Sequence, residues 1–286
     1  MNERDWQILH TVFETRSVTG AAEKLFTSQP ALSYRLKRLE EHFGVCLFER
    51  DGRKLNFTQE GEHLVDHARR MLREDLRMRE ELTRMQQHPH GEIRLGVSSN
   101  YAAYRLPRLL AAFQARHGGA SFSLVSGLSH DLFVQLQREE IHLALVRDSF
   151  NWKERKFIVD EDPFYVFSRE AIDFDDLPRL PQIALDTSTF QNRLVADWWN
   201  ARFSEPPRIA MRVDKIEACM AMVRHGLGYT IVSSIALQEA DRLFRFPIVQ
   251  ADGQQLTNKT WLLYRTQSER LPLVEKLIDM LKRRMA

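Results

Sequence analysis

Ser28-Gln29-Pro30-Ala31-Leu32-Ser33-Tyr34-Arg35-Leu36-Lys37-Arg38-Leu39-Glu40-Glu41-His42-Phe43 is the stretch that decides how the rest of the chain is read. Leu32, Leu36, Leu39 and Phe43 recur at the three- and four-residue spacing of one helical face, which the pattern sends into a small core. Gln29, Ser33, Tyr34 and Lys37 are left on the other face. Ser28 is a good N-cap, and Pro30 falls in the first turn, where a missing N–H costs no hydrogen bond. Upstream, Ser17-Val18-Thr19-Gly20-Ala21-Ala22-Glu23-Lys24-Leu25 reads as a helix whose Ala21 and Ala22 admit a close neighbour, with Phe26-Thr27 as the turn. The two make a helix-turn-helix, whose second helix enters the DNA major groove. Gln at its start can bond adenine bidentately, Ser can bond several base edges, and Lys can reach guanine or phosphate. An ordinary three-helix core with a polar outer face would show the same periodicity.

Longer-range matches decide between the two. Phe13, Ser17, Ala21-Ala22, Leu25, Ser28 through Ser33, Leu39-Glu40, Gly44-Val45, Leu47-Phe48, Arg50 and Thr58-Gln59-Glu60-Gly61 together resemble the N-terminal signature of the LysR-type transcriptional regulators. The resemblance implies a winged helix-turn-helix and a double-stranded promoter DNA partner. Residues 1–58 form that domain. Its DNA contacts are expected from Ser28, Gln29, Pro30, Ser33, Tyr34 and Lys37, with Arg53 and Lys54 at the wing touching the backbone. Tyr34 stands where the family often has Arg or a small polar residue.

The chain has 286 residues, 43% of them hydrophobic, which suffices for two or more compact domains. Its first residues, Met1-Asn2-Glu3-Arg4-Asp5, carry no apolar segment and no later run approaches a membrane span, so the expectation is a cytoplasmic protein with no membrane partner. Cys46 and Cys219 are far apart and belong to different expected domains, which leaves no disulfide framework. Cys219 shares an apolar helix face with Ile216, Met220 and Val223 and reads as a packed thiol. The net charge of +2 argues little, and residues 1–90 balance acids against bases. Distribution is more telling: Arg35, Lys37, Arg38, Arg50, Arg53 and Lys54 crowd one side of the small domain, enough for phosphate.

Taken in order, residues 3–15 form the first helix, with Trp6, Ile8 or Leu9, Val12 and Phe13 on its apolar face. Gly44 ends the recognition helix, and Leu47 to Phe57, turning at Asp51-Gly52, reads as the hairpin wing. From Thr58, with Gly61 keeping the first turn slim, a helix runs to about His88. Leu64, Ala68, Met71, Asp75, Met78, Leu82 and Met85 advance by alternate fours and threes, a coiled-coil seam broken only by Asp75. Such a rod, roughly 45 Å long, either pairs with its twin or packs on its own domain. The resemblance favours a homodimer through this linker, 59–90, and a homotetramer built from two dimers, with RNA polymerase a candidate partner. His88-Pro89-His90 offers no further ligand at metal-binding spacing and reads as punctuation.

Beyond it, short apolar strands alternate with helices, the pattern of an α/β domain with mostly parallel strands. Expected strands lie at 93–97, 122–125, 142–146, 165–167, 183–185, 209–213, 230–232 and 261–264. Helices are expected near 101–117, 129–139, 190–202, 215–226, 233–240 and 269–284. The opening Gly91-Glu92-Ile93-Arg94-Leu95-Gly96 and the turn Gly226-Leu227-Gly228 resemble the same family's effector domain, which is similar to periplasmic binding proteins. Two lobes follow from that resemblance: lobe I near 91–161 and 266–286, lobe II near 162–265. The chain would cross at Asp160–Pro163 and return at Tyr264–Thr266.

Ligands of open α/β sheets sit beyond strand carboxyl ends. Ser98, Ser99, Asn100 and Tyr101 lie at one such place, Leu128 and Ser129 at a second, Arg147 at a third, and Thr187 and Ser188 at a fourth in the other lobe. Hydroxyls beside free N–H groups, with Arg147 adding charge, suit a small anionic effector bound between the lobes. Singly, the hydroxyls read equally well as N-caps and Arg147 as a partner of Asp148. No catalytic motif, cofactor loop or metal motif is present: Gly-x-Gly-x-x-Gly, the phosphate loop, His-Glu-x-x-His and Gly-x-Ser-x-Gly are all missing, so an enzyme is not expected. An exported solute-binding protein would leave the helix-turn-helix without a purpose. The expected function is sequence-specific transcription regulation under control of that effector.

Overall fold

The computed structural model describes residues 1–51, 54–84, 91–186, 189–238 and 241–284. It divides into two compact units, Met1–Gln87 and His88–Ala286. In the first, α1 (Glu3–Thr15), α2 (Val18–Lys24) and α3 (Gln29–Phe43) are followed by β1 (Phe48–Asp51), β2 (Lys54–Phe57) and α4 (Gln59–Arg84). Every early boundary has a local cause. The Asn2 side chain accepts from the Asp5 N–H while the Asp5 carboxylate accepts from the Asn2 N–H, a reciprocal cap. Ser17 caps α2 through Gly20, Ser28 caps α3 through Ala31, and Gly44 ends α3 at φ 68°.

The core of this unit is Ile8, Leu9, Val12, Ala21, Ala22, Leu32, Leu36, Leu39 and Leu47, joined by Val65 and Ala68 of α4. Phe43, expected on the buried face, is instead exposed, because it closes the last turn of α3 and meets only the edge of His42. β1 and β2 pair antiparallel, Phe48 opposite Phe57. Thr58 accepts from the Gly61 N–H and donates to the Cys46 carbonyl. A Cβ at Gly61 would run into the Leu47 carbonyl oxygen, so the absent side chain lets the start of α4 lie directly on the strand leading into the wing. Leu64 and Ala68, the first members of the expected seam, pack into this core, whereas Met71, Met78 and Leu82 are exposed. Met85, like the 85–90 hinge, lies outside the described residues.

Asp5 also binds Arg35, at 2.6 Å from Nε. Burial raises the Asp5 carboxyl, but hydrogen bonds from Arg35 and the Asn2 N–H, with the charge of Arg35, outweigh it and hold the pKa below the usual carboxylate range. The folded pKa is depressed, so this contribution is fully present above the unfolded value, about 3.9, and is lost as pH falls through the folded value. Urea unfolding measured against pH should therefore show an acid-side decline that Asp5→Asn flattens. An identical acid limb in the variant would contradict the assignment.

The second unit runs β3 (Gly91–Ser98), α5 (Ser99–Tyr104), α6 (Leu106–Gln114), β4 (Ala120–Gly127), α7 (Ser129–Gln137), β5 (Leu143–Val146), β6 (Arg155–Ser168), β7 (Gln182–Leu185), α8 (Thr189–Arg202), β8 (Ile209–Val213), α9 (Ile216–Arg224), β9 (Thr230–Ser233), β10 (Phe244–Pro247), β11 (Thr257–Tyr264) and α10 (Pro272–Arg283). β3 pairs parallel with β4 and β5, and β7 with β8; β6, β9, β10 and β11 pair antiparallel. The strands are thus mixed rather than mostly parallel.

β6 joins the two lobes. Its first part, Arg155–Pro163, pairs with β11, while Phe164–Ser168 carries β9 and β10. β11 is paired with the first part of β6 from Thr257 onward, and with β5 from Trp261. The helix expected over 101–117 is broken at Arg105, where Pro107 starts α6. Of the helix expected at 233–240, the described residues form a 3-10 turn at Ser234–Ala236; residues 239 and 240 lie outside them.

Candidate nucleic-acid interface and ligand cleft

The capped start of α3 presents Ser28, Gln29, Pro30, Tyr34 and Lys37 to solvent, while Leu32, Leu36 and Leu39 hold the helix to the core. Gln29 Nε2 donates to Ser33 Oγ at 2.9 Å, which orders two polar side chains one turn apart. Lys37 stays exposed beside Glu41. Arg35 leaves the expected basic patch, since its guanidinium is turned to Asp5 and Asn2. Arg53 lies outside the described residues, as does the Lys54 side chain, whose backbone begins β2. Sequence reading passed over Phe26. It is 98% exposed in the turn directly before the cap, at φ 50°, a left-handed conformation unfavourable for a bulky residue. An aromatic residue adjoining a Ser-Gln-Pro start was the available signal.

In the second unit the strand ends do gather polar groups. Ser98 and Tyr101 are buried with hydroxyls that have no hydrogen-bond partner among the described residues. Burial first, then the Asp160 carboxylate, pushes the Tyr101 phenol up to about 12. Ser98 makes no cap hydrogen bond, and Ser129 accepts from the Arg147 N–H at 3.1 Å, so neither acts as an N-cap. Ser99 and Asn100 open α5, and Leu128 is exposed. Thr187 and Ser188 lie outside the described residues.

Arg147 is buried in an ion pair. Its guanidinium is 3% exposed, sits 3.0 Å from Asp162, and donates to Ser233 Oγ at 3.0 Å. Asp162, 1% exposed, also receives Arg105 at 3.0 Å. Burial draws the Arg147 pKa down against the pull of Asp162. Its charge is therefore faced by the buried Asp162, while its Nε and Nη1 have no hydrogen-bond partner among the described residues.

A cavity of about 280 Å³ opens beside this pair, between β7, β8, α8 and β9. Gln182, Asp186, Asn192 and Arg212 supply its polar groups, Phe164, Trp199 and Ile231 its apolar wall, and Ser233 ties it to Arg147. Sequence reading had none of these. Arg212, a lone charge within the apolar strand Ile209–Val213, was the signal. Cys219 is buried 3.0 Å from Thr230 Oγ1, and burial raises its thiol pKa, which suits a packed core thiol.

Residues 4–62 match the model of the bacterial regulatory helix-turn-helix proteins of the lysR family, and residues 86–286 match the LysR substrate binding domain. The chain belongs to the LysR family of transcriptional regulators. This regulator is 39% identical over 282 residues to the HTH-type transcriptional regulator YraN of Bacillus subtilis (strain 168), covering 99% of this chain and 98% of that protein. It is 27% identical over 300 residues to the DNA-binding transcriptional dual regulator OxyR of Escherichia coli (strain K12), covering 100% and 96%. Among solved structures it resembles CbnR, a LysR family transcriptional regulator, at TM-score 0.71 and 20% identity over 100% of both chains. Full-length CbnR in complex with its target DNA gives 0.70 and 21%, over 99% and 100%. The regulator's winged helix-turn-helix and two-lobed α/β architecture is thus the family's, and the family is one of regulators, not enzymes. Among the described residues, no helix is long and apolar enough to cross a membrane and no group of side chains is arranged to hold a metal ion.

Proposed function

We propose that this regulator reads an interrupted palindromic operator in promoter DNA as a cytoplasmic homodimer, two of which form a tetramer, and that a small anionic effector governs it. The observation that carries the DNA reading is the ordered Gln29–Ser33 pair on the exposed start of α3. Ser28, Pro30, Tyr34 and Lys37 surround it, with Arg53 and Lys54 placed by sequence on the wing. Phe26 adds an apolar group suited to a thymine methyl. Footprinting upstream of the regulator's own gene at two salt concentrations tests this. Two spaced half-sites should be protected. Gln29→Ala and Ser33→Ala should weaken operator binding about tenfold or more, as loss of a base contact does. Phe26→Asn, which suits the left-handed backbone, should weaken binding without destabilising the fold. Protection unchanged in all three variants would remove α3 as the reading element.

For the effector, the polar strand ends Ser98–Tyr101, Leu128–Ser129 and Thr187–Ser188 remain the proposed surroundings. Arg212, exposed on the cavity and without an ion pair among the described residues, replaces Arg147 as the proposed anion-binding charge. An effector reaching Ser233 would compete for the hydroxyl that holds Arg147, which supports control of lobe closure. Calorimetry with a panel of carboxylate and phosphate metabolites should find a ligand whose affinity Arg212→Ala lowers about tenfold. A ligand bound equally by the variant, or only neutral ligands bound, would overturn the anionic assignment.

A further inference from the structure

The groove between α6 and α10 plays no part in the DNA and effector readings. It is a hollow of about 650 Å³ whose rim carries Arg108, Arg116, Lys276, Arg283 and Arg284. All five are exposed, and none makes an ion pair among the described residues. Asp279 is the one carboxylate on the lining among them. The full chain has a net charge of only +2, so the concentration is local. Five exposed cations against one carboxylate on a single groove make a field that favours an anionic partner.

The shape narrows the partner further. Arg108, Ala112 and Arg116 advance by fours along α6 and just past its end, and Lys276, Met280 and Arg284 do so along α10. Two cationic rows therefore flank a trough whose floor is Ala112 and Met280 over the buried Leu109 and Leu281. A duplex would lay phosphates across the rims and leave the apolar floor unused. A helix with one apolar stripe and acidic flanks would fill the floor and pair with both rims. We propose that this groove docks an acidic amphipathic segment of a partner protein. The His117 imidazole reports on the same field: burial first, then Lys276 and Arg116, hold its pKa below the usual range.

The test uses the full-length protein and fluorescence anisotropy with a labelled amphipathic Glu/Leu peptide, beside a labelled duplex lacking the operator. Arg108→Glu combined with Lys276→Glu, both on exposed side chains, should weaken the peptide about tenfold and leave operator binding and thermal stability unchanged. Asp279→Lys should strengthen it, and the His117 pKa measured by NMR should rise when the peptide binds. Absence of peptide binding to the unaltered protein at low salt, or equal binding by the double variant, would overturn the proposal. Loss of duplex binding with the peptide unaffected would also overturn it and make the groove a nucleic-acid surface.

Discussion

Arg147→Ala is expected to destabilise the C-terminal unit by about 3 kcal/mol, the range for leaving one member of a buried ion pair without its partner. Asp162 is 1% exposed and would keep only Arg105, while Ser233 would lose its guanidinium donor. The shared Arg105 keeps the cost toward the lower end of that range. Denaturant unfolding of the ligand-free protein, followed through the tryptophans of this unit, measures the effect. Replacing both charges, Arg147→Met with Asp162→Leu, should recover much of the loss, because no buried carboxylate is then stranded. A group reserved for an effector would behave differently: its removal would leave the ligand-free midpoint where it was. An unchanged midpoint would therefore return Arg147 to the ligand site.

Met78→Glu combined with Leu82→Glu should convert the regulator to a monomer and lower operator affinity about a hundredfold or more, since the gain from engaging two linked half-sites is lost. The two side chains are 60% and 56% exposed and sit one turn apart on the outer length of α4. They make no contribution to the core, where Val65 and Ala68 anchor the same helix. Folding should be unaffected, while two carboxylates on each facing helix would oppose pairing across a seam. Sedimentation velocity with far-UV circular dichroism decides the matter. A folded dimer that persists in the variant would show that the protein associates elsewhere.

The N-terminal unit was legible because its signals are local. Asn2, Ser17, Ser28 and Gly44 each act within four residues of where they stand, and the Leu32, Leu36, Leu39 row keeps one period. The seam in α4 was legible as a pattern but carried two meanings: Leu64 and Ala68 face the unit's own core, while Met71, Met78 and Leu82 are left open. The second unit was harder to read where strands do not look apolar. Lys156, Asp160, Glu161 and Asp162 hid the first part of β6, since a connecting strand with buried ion pairs has no clean alternation. That omission also hid the Asp162 partner of Arg147, which sits on the strand that was not drawn. Strand direction was equally hidden, because periodicity reports burial and not polarity of the chain. The cavity around Gln182, Asn192 and Arg212 is assembled from β6, β7, α8, β8, α9 and β9 and has no local signature.

The contact between Gly61 and the Leu47 carbonyl has a mechanical meaning. It clamps the base of α4 to the strand that enters the wing, so the helix behaves as a lever whose fulcrum is the DNA-reading head. At 1.5 Å per residue, 26 residues give an arm of roughly 39 Å. A 10° change of angle at the fulcrum would sweep its far end by about 7 Å, about two base-pair steps along a duplex at 3.4 Å each. In the proposed dimer, such a clamp would convert small rotations between the paired helices into choices of operator spacing. A larger residue at position 61 would alter which spacing is chosen as well as how well the head folds.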